Sequence, residues 1–144
     1  MGADGFREMK EIEVDATVDN LDLVNGFVEE LLTPLDCSMK LEMQLSLVVE
    51  EIFVNIASYA YEGKTGKAVV QGGVEKDSAT VKLVFIDEGM PYNPLEKEDP
   101  DISLSAEERG IGGLGIFLVK KNVDDISYEH KDGKNILTLW KKMA

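Results

Sequence analysis

The chain has 144 residues, 44% of them hydrophobic, which is enough for one domain with a core and too little for two. With 28 acidic against 15 basic residues, the net charge of −13 argues against sequence-independent binding to a nucleic-acid polyanion. No apolar run approaches bilayer-spanning length, MGADGFREMKEIEVD lacks the basic-then-apolar order of a secretion signal, and Phe6 stands where myristoylation needs Ser or Thr, so a cytoplasmic protein is expected.

In chain order, residues 11–18 alternate polar and apolar as a half-buried strand does. Asp19 or Asn20 then caps a helix through Leu21, Val24, Val28, Leu31 and Leu32, which Pro34 stops. The lone Cys37 permits no internal disulfide, and nothing beside it recommends a nucleophile. After Ser38 a longer helix is predicted to about Tyr61, with Leu41, Leu45, Val48, Ile52 and Ile56 at three- and four-residue steps, ending in Glu62-Gly63-Lys64-Thr65-Gly66. Strands at 67–75 and 79–87 follow, joined at Lys76-Asp77-Ser78. A polar loop leads to a helix at 113–124, and a hairpin of 125–131 and 134–141 turns at Asp132-Gly133. No repeat or low-complexity linker interrupts this order.

Three polar signals lie on these elements. Glu51 and Asn55 are an i,i+4 pair on one face of the long helix, where a carboxylate and an amide oxygen can share a water or a hard cation such as Mg²⁺; a solvated helix edge is the other reading. Glu50 points about 100° away and serves as a control. Asp87-Glu88-Gly89-Met90-Pro91 ends an apolar strand with an acceptor and a glycine, suited to an exocyclic amine and a flat base, or else to an ordinary Asx turn.

The third signal is Arg109-Gly110-Ile111-Gly112-Gly113-Leu114-Gly115, where four glycines open onto a helix and backbone amides can cradle phosphate. Its Gly110-x-Gly112-x-x-Gly115 spacing also fits a dinucleotide fingerprint, with Asp132 as a ribose-binding acid, but the charged stretch 96–109 is no buried strand. Residues 1–108 hold 24 acids and 8 bases, net −16, whereas residues 109–144 hold 4 acids and 7 bases, net +3, so the glycine-rich end is the locally basic part.

In that order the three motifs resemble the Bergerat, or GHKL, ATP-binding fold, and more closely its RsbW-like anti-sigma-factor serine/threonine kinases, over about residues 11–142. The resemblance implies one α+β domain over residues 1–144, a two-layer sandwich with a mixed, mostly antiparallel sheet covered on one face by about three helices. It implies ATP and Mg²⁺ as cofactors, with Asn55 as the Mg²⁺ ligand and Glu51 orienting or activating the attacking hydroxyl. Asp87, Gly89 and Thr138 would meet adenine; Gly110, Gly112, Gly113 and Gly115 would frame the triphosphate under a lid of about 92–109. Arg109 would reach the γ-phosphate, or else pair with Glu107 or Glu108.

The implied activity is phosphorylation of an anti-anti-sigma, STAS-type partner together with sequestration of a sigma factor, with no direct contact to nucleic acid or membrane and with homodimers common in that branch. A catalytically weak, ATP-dependent binding module of the same fold is the second reading. The family commonly carries His where this chain has Tyr59, and the sole histidine, His130, falls on a strand as a surface or pairing residue.

Overall fold

The computed structural model describes residues 9–96 and 113–144. Five strands, β1 (Lys10–Asp15), β2 (Lys67–Glu75), β3 (Thr80–Asp87), β4 (Asp125–Lys131) and β5 (Lys134–Lys142), form one sheet in the order β1-β2-β3-β5-β4. Every pairing is antiparallel, so the mixed sheet expected from the sequence resolves into a wholly antiparallel one among the described residues. Three helices, α1 (Leu21–Leu32), α2 (Met39–Asn55) and α3 (Gly113–Asn122), supply the other layer.

Period-two burial decides which sheet face the helices cover. Val70 on β2, Val81, Leu83 and Phe85 on β3, and Leu137 and Leu139 on β5 point one way and are buried. They meet Val24, Val28 and Leu31 of α1, Leu45, Val48, Ile52 and Phe53 of α2, and Val119 of α3 in one apolar cluster. Burying a side chain such as Phe53 contributes roughly 1.5–3 kcal/mol, so this interface dominates the stability. None of the described helices is long and apolar enough to cross a membrane.

Local chemistry explains most element ends. Ser38 Oγ accepts from the Leu41 amide at 3.2 Å, which caps α2 as the sequence suggests. Asn20 makes no cap; its Nδ2 donates back to the Asp15 carbonyl at 3.0 Å, closing the turn that stops β1 at Asp15 rather than Val18. The long helix is regular only to Asn55 and widens into a π turn over Ile56–Ala60. Glu62 and Gly63, at φ of 50° and 82°, then reverse the chain. The β4–β5 hairpin turns through Asp132 and Gly133, both at positive φ, as a two-residue turn requires.

Two glycines separate packing from propensity. At Gly72 an added Cβ would lie 2.3 Å from Leu31 Cδ1 and 2.9 Å from Leu83 Cδ2, whereas at exposed Gly26, within α1, it would meet nothing within 4 Å. Gly72→Ala is expected to lower stability by about 1–3 kcal/mol through overpacking. Gly26→Ala should raise it by about 0.4–1 kcal/mol by restricting the unfolded chain. Urea unfolding midpoints of the two variants should therefore move in opposite directions.

Candidate functional site

The site is built where the C-terminal end of α2 meets the C-terminal end of β3. The Met90 amide donates to the Ala60 carbonyl at 2.9 Å, and this approach needs Gly89, because a Cβ there would lie 2.1 Å from the same oxygen. Beside it, the Tyr61 hydroxyl donates to the Lys67 carbonyl and accepts from the Glu88 amide at 2.9 Å. Burial first, and then the nearby charges of Asp87 and Glu88, push the Tyr61 phenol up, so it stays a protonated link. The π turn, the start of β2 and the Asp87–Met90 turn thus form one fastened unit.

Asp87 stands at the end of β3 and is only 7% exposed. Its Oδ1 accepts from the Gly89 amide and from Asn135 Nδ2, each at 2.9 Å. Asn135, also 7% exposed, donates further to the Met90 carbonyl at 3.0 Å. Its Oδ1 accepts from the Tyr92 amide at 3.2 Å and from the Tyr128 hydroxyl. Burial, followed by the charges of Asp87 and Glu96, raises the Tyr128 phenol above its usual range, which keeps that hydroxyl a donor. Both described bonds to Asp87 use the same carboxylate oxygen, so the second oxygen is the one available to a ligand.

A cavity of about 470 Å³ opens in front of this network. Its apolar wall comes from Ile52, Ile56, Phe85, Ile116 and Leu137, and its polar lining includes Asn55, Asp87, Tyr128 and Asn135, together with Ser58 and Glu62. Met90, Tyr92 and the 55% exposed Tyr59 stand at its rim. The size and the few converging polar groups are those of a small-molecule site.

One turn before Asn55, Glu51 lies against the first turn of α3: a Cβ on Gly115 would come within 2.5 Å of Glu51 Oε2. A carboxylate at a helix N-terminus is stabilised by the local dipole. Glu50 is exposed while Glu51 is half-buried, so the two neighbouring acids differ as the helical period requires. The structure thus brings Glu51, Asn55, Asp87, Gly89 and Gly115 to one region, and Gly113 opens α3. Arg109, Gly110, Gly112 and most of the 92–109 segment lie outside the described residues.

Thr138 is not part of this constellation. It shares the outer sheet face with Ile136 and Trp140, whereas Asn135 and Leu137 on the opposite parity line the cavity. Residues 136–140 are apolar or β-branched on both faces, so alternation could not assign the facing side. Asn135 escapes the sequence reading for this reason, and Tyr128 lies on the neighbouring β4. Counting forward two residues from the Asp132-Gly133 turn and across to Asp87 reaches Asn135, the residue that pairs with it. Cys37 fits the inert reading, since burial first, then Glu42 and Asp36, raises its thiol.

Residues 14–141 match the family described as the histidine kinase-like ATPase domain. The chain is 29% identical over 102 residues to the serine/threonine-protein kinase BtrW of Bordetella bronchiseptica, and the alignment spans 71% of each protein. It is 28% identical over 97 residues to the serine-protein kinase RsbW of Bacillus cereus, spanning 65% of this chain and 59% of that relative. The solved structure of the RsbU and RsbW domains of a Mycobacterium tuberculosis protein superposes with a TM-score of 0.63 at 18% identity, covering 94% of this chain and 32% of that one. This last likeness bears on the fold.

Replacing Asn135 by Ala would leave Asp87, Met90, Tyr92 and Tyr128 each short of a partner in a largely buried place. A loss of about 1–3 kcal/mol is expected in urea unfolding. Thr138→Val, on the other face, should stay within about 0.5 kcal/mol of the parent. The reverse ranking would contradict the assigned faces.

Proposed function

Because the chain belongs to the histidine kinase-like ATPase domain family, we propose that it is an ATP-dependent protein serine/threonine kinase of the anti-sigma regulatory type. The observation that carries this reading is convergence: the E-x-x-x-N helix, the D-x-G turn and the glycine-opened α3 come together at one cavity, with Glu51 against Gly115 and Asn55 and Asp87 on the lining. The anti-sigma role and its partners, a STAS-type anti-anti-sigma protein and a sigma factor, rest on the kinship with RsbW and BtrW.

The residues present fit the nucleotide. A buried carboxylate with one oxygen already saturated suits an exocyclic amine, and the apolar wall of Ile52, Phe85 and Leu137 suits a flat base. The amides at the start of α3, together with Gly110, Gly112, Gly113 and Gly115, suit a polyphosphate. Asn55 would be a protein ligand of Mg²⁺, an ion that commonly keeps several waters and phosphate oxygens and takes few protein groups. Arg109 is assigned to the γ-phosphate, where a guanidinium stabilises spread charge.

When bound, ATP with Mg²⁺ supplies an activated phosphoryl group. The protein's part is positioning and proton handling. Asp87, held by Gly89 and Asn135, fixes the base; Glu51 accepts the proton of the partner's Ser or Thr hydroxyl as that oxygen bonds to phosphorus and the bond to the departing ADP breaks. Glu51 at the α3 N-terminus is close to where those phosphates would lie, and Glu50 is not.

Base selection is tested by calorimetry with Mg²⁺ present. ATP and ADP should bind well above GTP, and Asp87→Asn should weaken ATP by about 1.5–3 kcal/mol, the usual worth of a hydrogen bond to a charged group. Equal affinities for ATP and GTP would remove Asp87 from base recognition.

Transfer is tested with labelled ATP and a candidate STAS-type partner. Glu51→Ala should leave ATP binding nearly intact while slowing transfer by on the order of 10²–10⁴-fold. Glu50→Ala should change little. Identical behaviour of the two variants would favour a binding module in which ATP only shapes the partner surface.

A further inference from the structure

Lys141 sits on the helix-facing side of β5, at the end of the sheet away from the cavity, and is only 5% exposed. Its Nζ donates to the Asn122 carbonyl at 2.6 Å and to Gln44 Oε1 at 3.1 Å. Neither acceptor is a carboxylate; burial pulls the amine's pKa below its ordinary value, and the nearby Asp124 charge only partly opposes this. A desolvated ammonium is costly to keep, and a methionine would fill such a place without that cost. The amine therefore suggests a role beyond filling the core.

Asn122 is the last residue of α3, so Lys141 satisfies one of the carbonyls that a helix end leaves unpaired and places positive charge where the helix dipole favours it. The opposite end of the same ten-residue helix begins at Gly113 and lies against Glu51 at Gly115. Glu51 and Gln44 are two turns apart on α2, so α2 engages both ends of α3: directly at the head, and through Lys141 at the tail. A rigid helix held at its tail delivers its head amides to a fixed position, and misplacement by an ångström far from the chemistry is enough to matter.

We propose that Lys141 is a positioning residue that sets α3 along its axis and thereby places the helix's N-terminal amides for the nucleotide's phosphates, without touching the ligand. The proposal rests on the nucleotide reading above and goes beyond it in giving the far end of the sheet a part in phosphate recognition. Its signature is selective: the base subsite, built on Asp87 and Asn135, does not depend on α3 amides, whereas the polyphosphate does.

Calorimetry of adenosine, ADP and ATP with Mg²⁺ tests it. In Lys141→Met, adenosine affinity should stay within about twofold while ATP weakens roughly tenfold, in the range of indirect coupling effects. Lys142→Met, which removes the same charge from an exposed position on the same strand, should leave ATP affinity unchanged. Equal weakening of adenosine and ATP, no weakening of either, or the same loss in both lysine variants would overturn the assignment. If Lys141→Met does not fold, Gln44→Met decides: about a threefold loss for ATP alone supports the proposal, and unchanged ATP affinity refutes it. Parent protein that binds neither adenosine nor ATP would refute the nucleotide reading itself, whereas normal binding by parent and variants alike refutes only the role of Lys141.

Discussion

The hydrogen bond from the Met90 amide to the Ala60 carbonyl ties the end of a helix to the end of a strand, and the site depends on it. It forms because Gly89 has no side chain and because α2 ends in a π turn whose last residue is Ala60, presenting a carbonyl that a continued helix would have used internally. Tyr61 doubles the tie through the Glu88 amide and the Lys67 carbonyl. With both elements fixed, Asp87 and Asn55 keep a constant relation across the cavity, although they come from opposite layers of the sandwich.

A second relation links α2 and α3. They run in opposite directions, so the acidic C-terminal half of α2 lies beside the electropositive start of α3, and Gln44 near the start of α2 lies beside α3's end. Gly115 makes the first of these approaches possible, since a larger residue would meet the Glu51 carboxylate. Gly115, one of the glycines proposed for phosphate, is thus also a point where the two helices meet closely.

The polar network behind the cavity follows the economy of buried hydrogen bonds. Asn135 offers two donors and one acceptor oxygen, and it uses them on Asp87, Met90, Tyr92 and Tyr128. Such saturation makes the network rigid, because any rotation of the amide would leave several partly buried groups unpaired. A Thr in that position would have one hydroxyl to serve the same neighbours.

Much of this was legible in the chain itself. The alternation of 11–18, the three- and four-residue spacing of Leu41 to Ile56, and the Asp132-Gly133 turn determine local conformation through side-chain sterics and burial, which act over a few residues and are therefore written locally. Glu51 with Asn55, and Asp87 with Gly89, are likewise set by intervals of four and two. Other features needed the tertiary structure. The π turn that ends α2 carries the Ala60 carbonyl, whose partner, the Met90 amide, lies thirty residues away in the chain. The facing side of β5, which replaces Thr138 by Asn135, depends on cross-strand register because both of its faces are apolar. Lys141 ends the strand expected over 134–141, and only the packing of α2, α3 and β5 around it turns it into a buried amine. Sequence by itself determined the periods and the residue types of the site; tertiary structure decided which of those residues face one another, because that choice rests on contacts between segments distant in the chain.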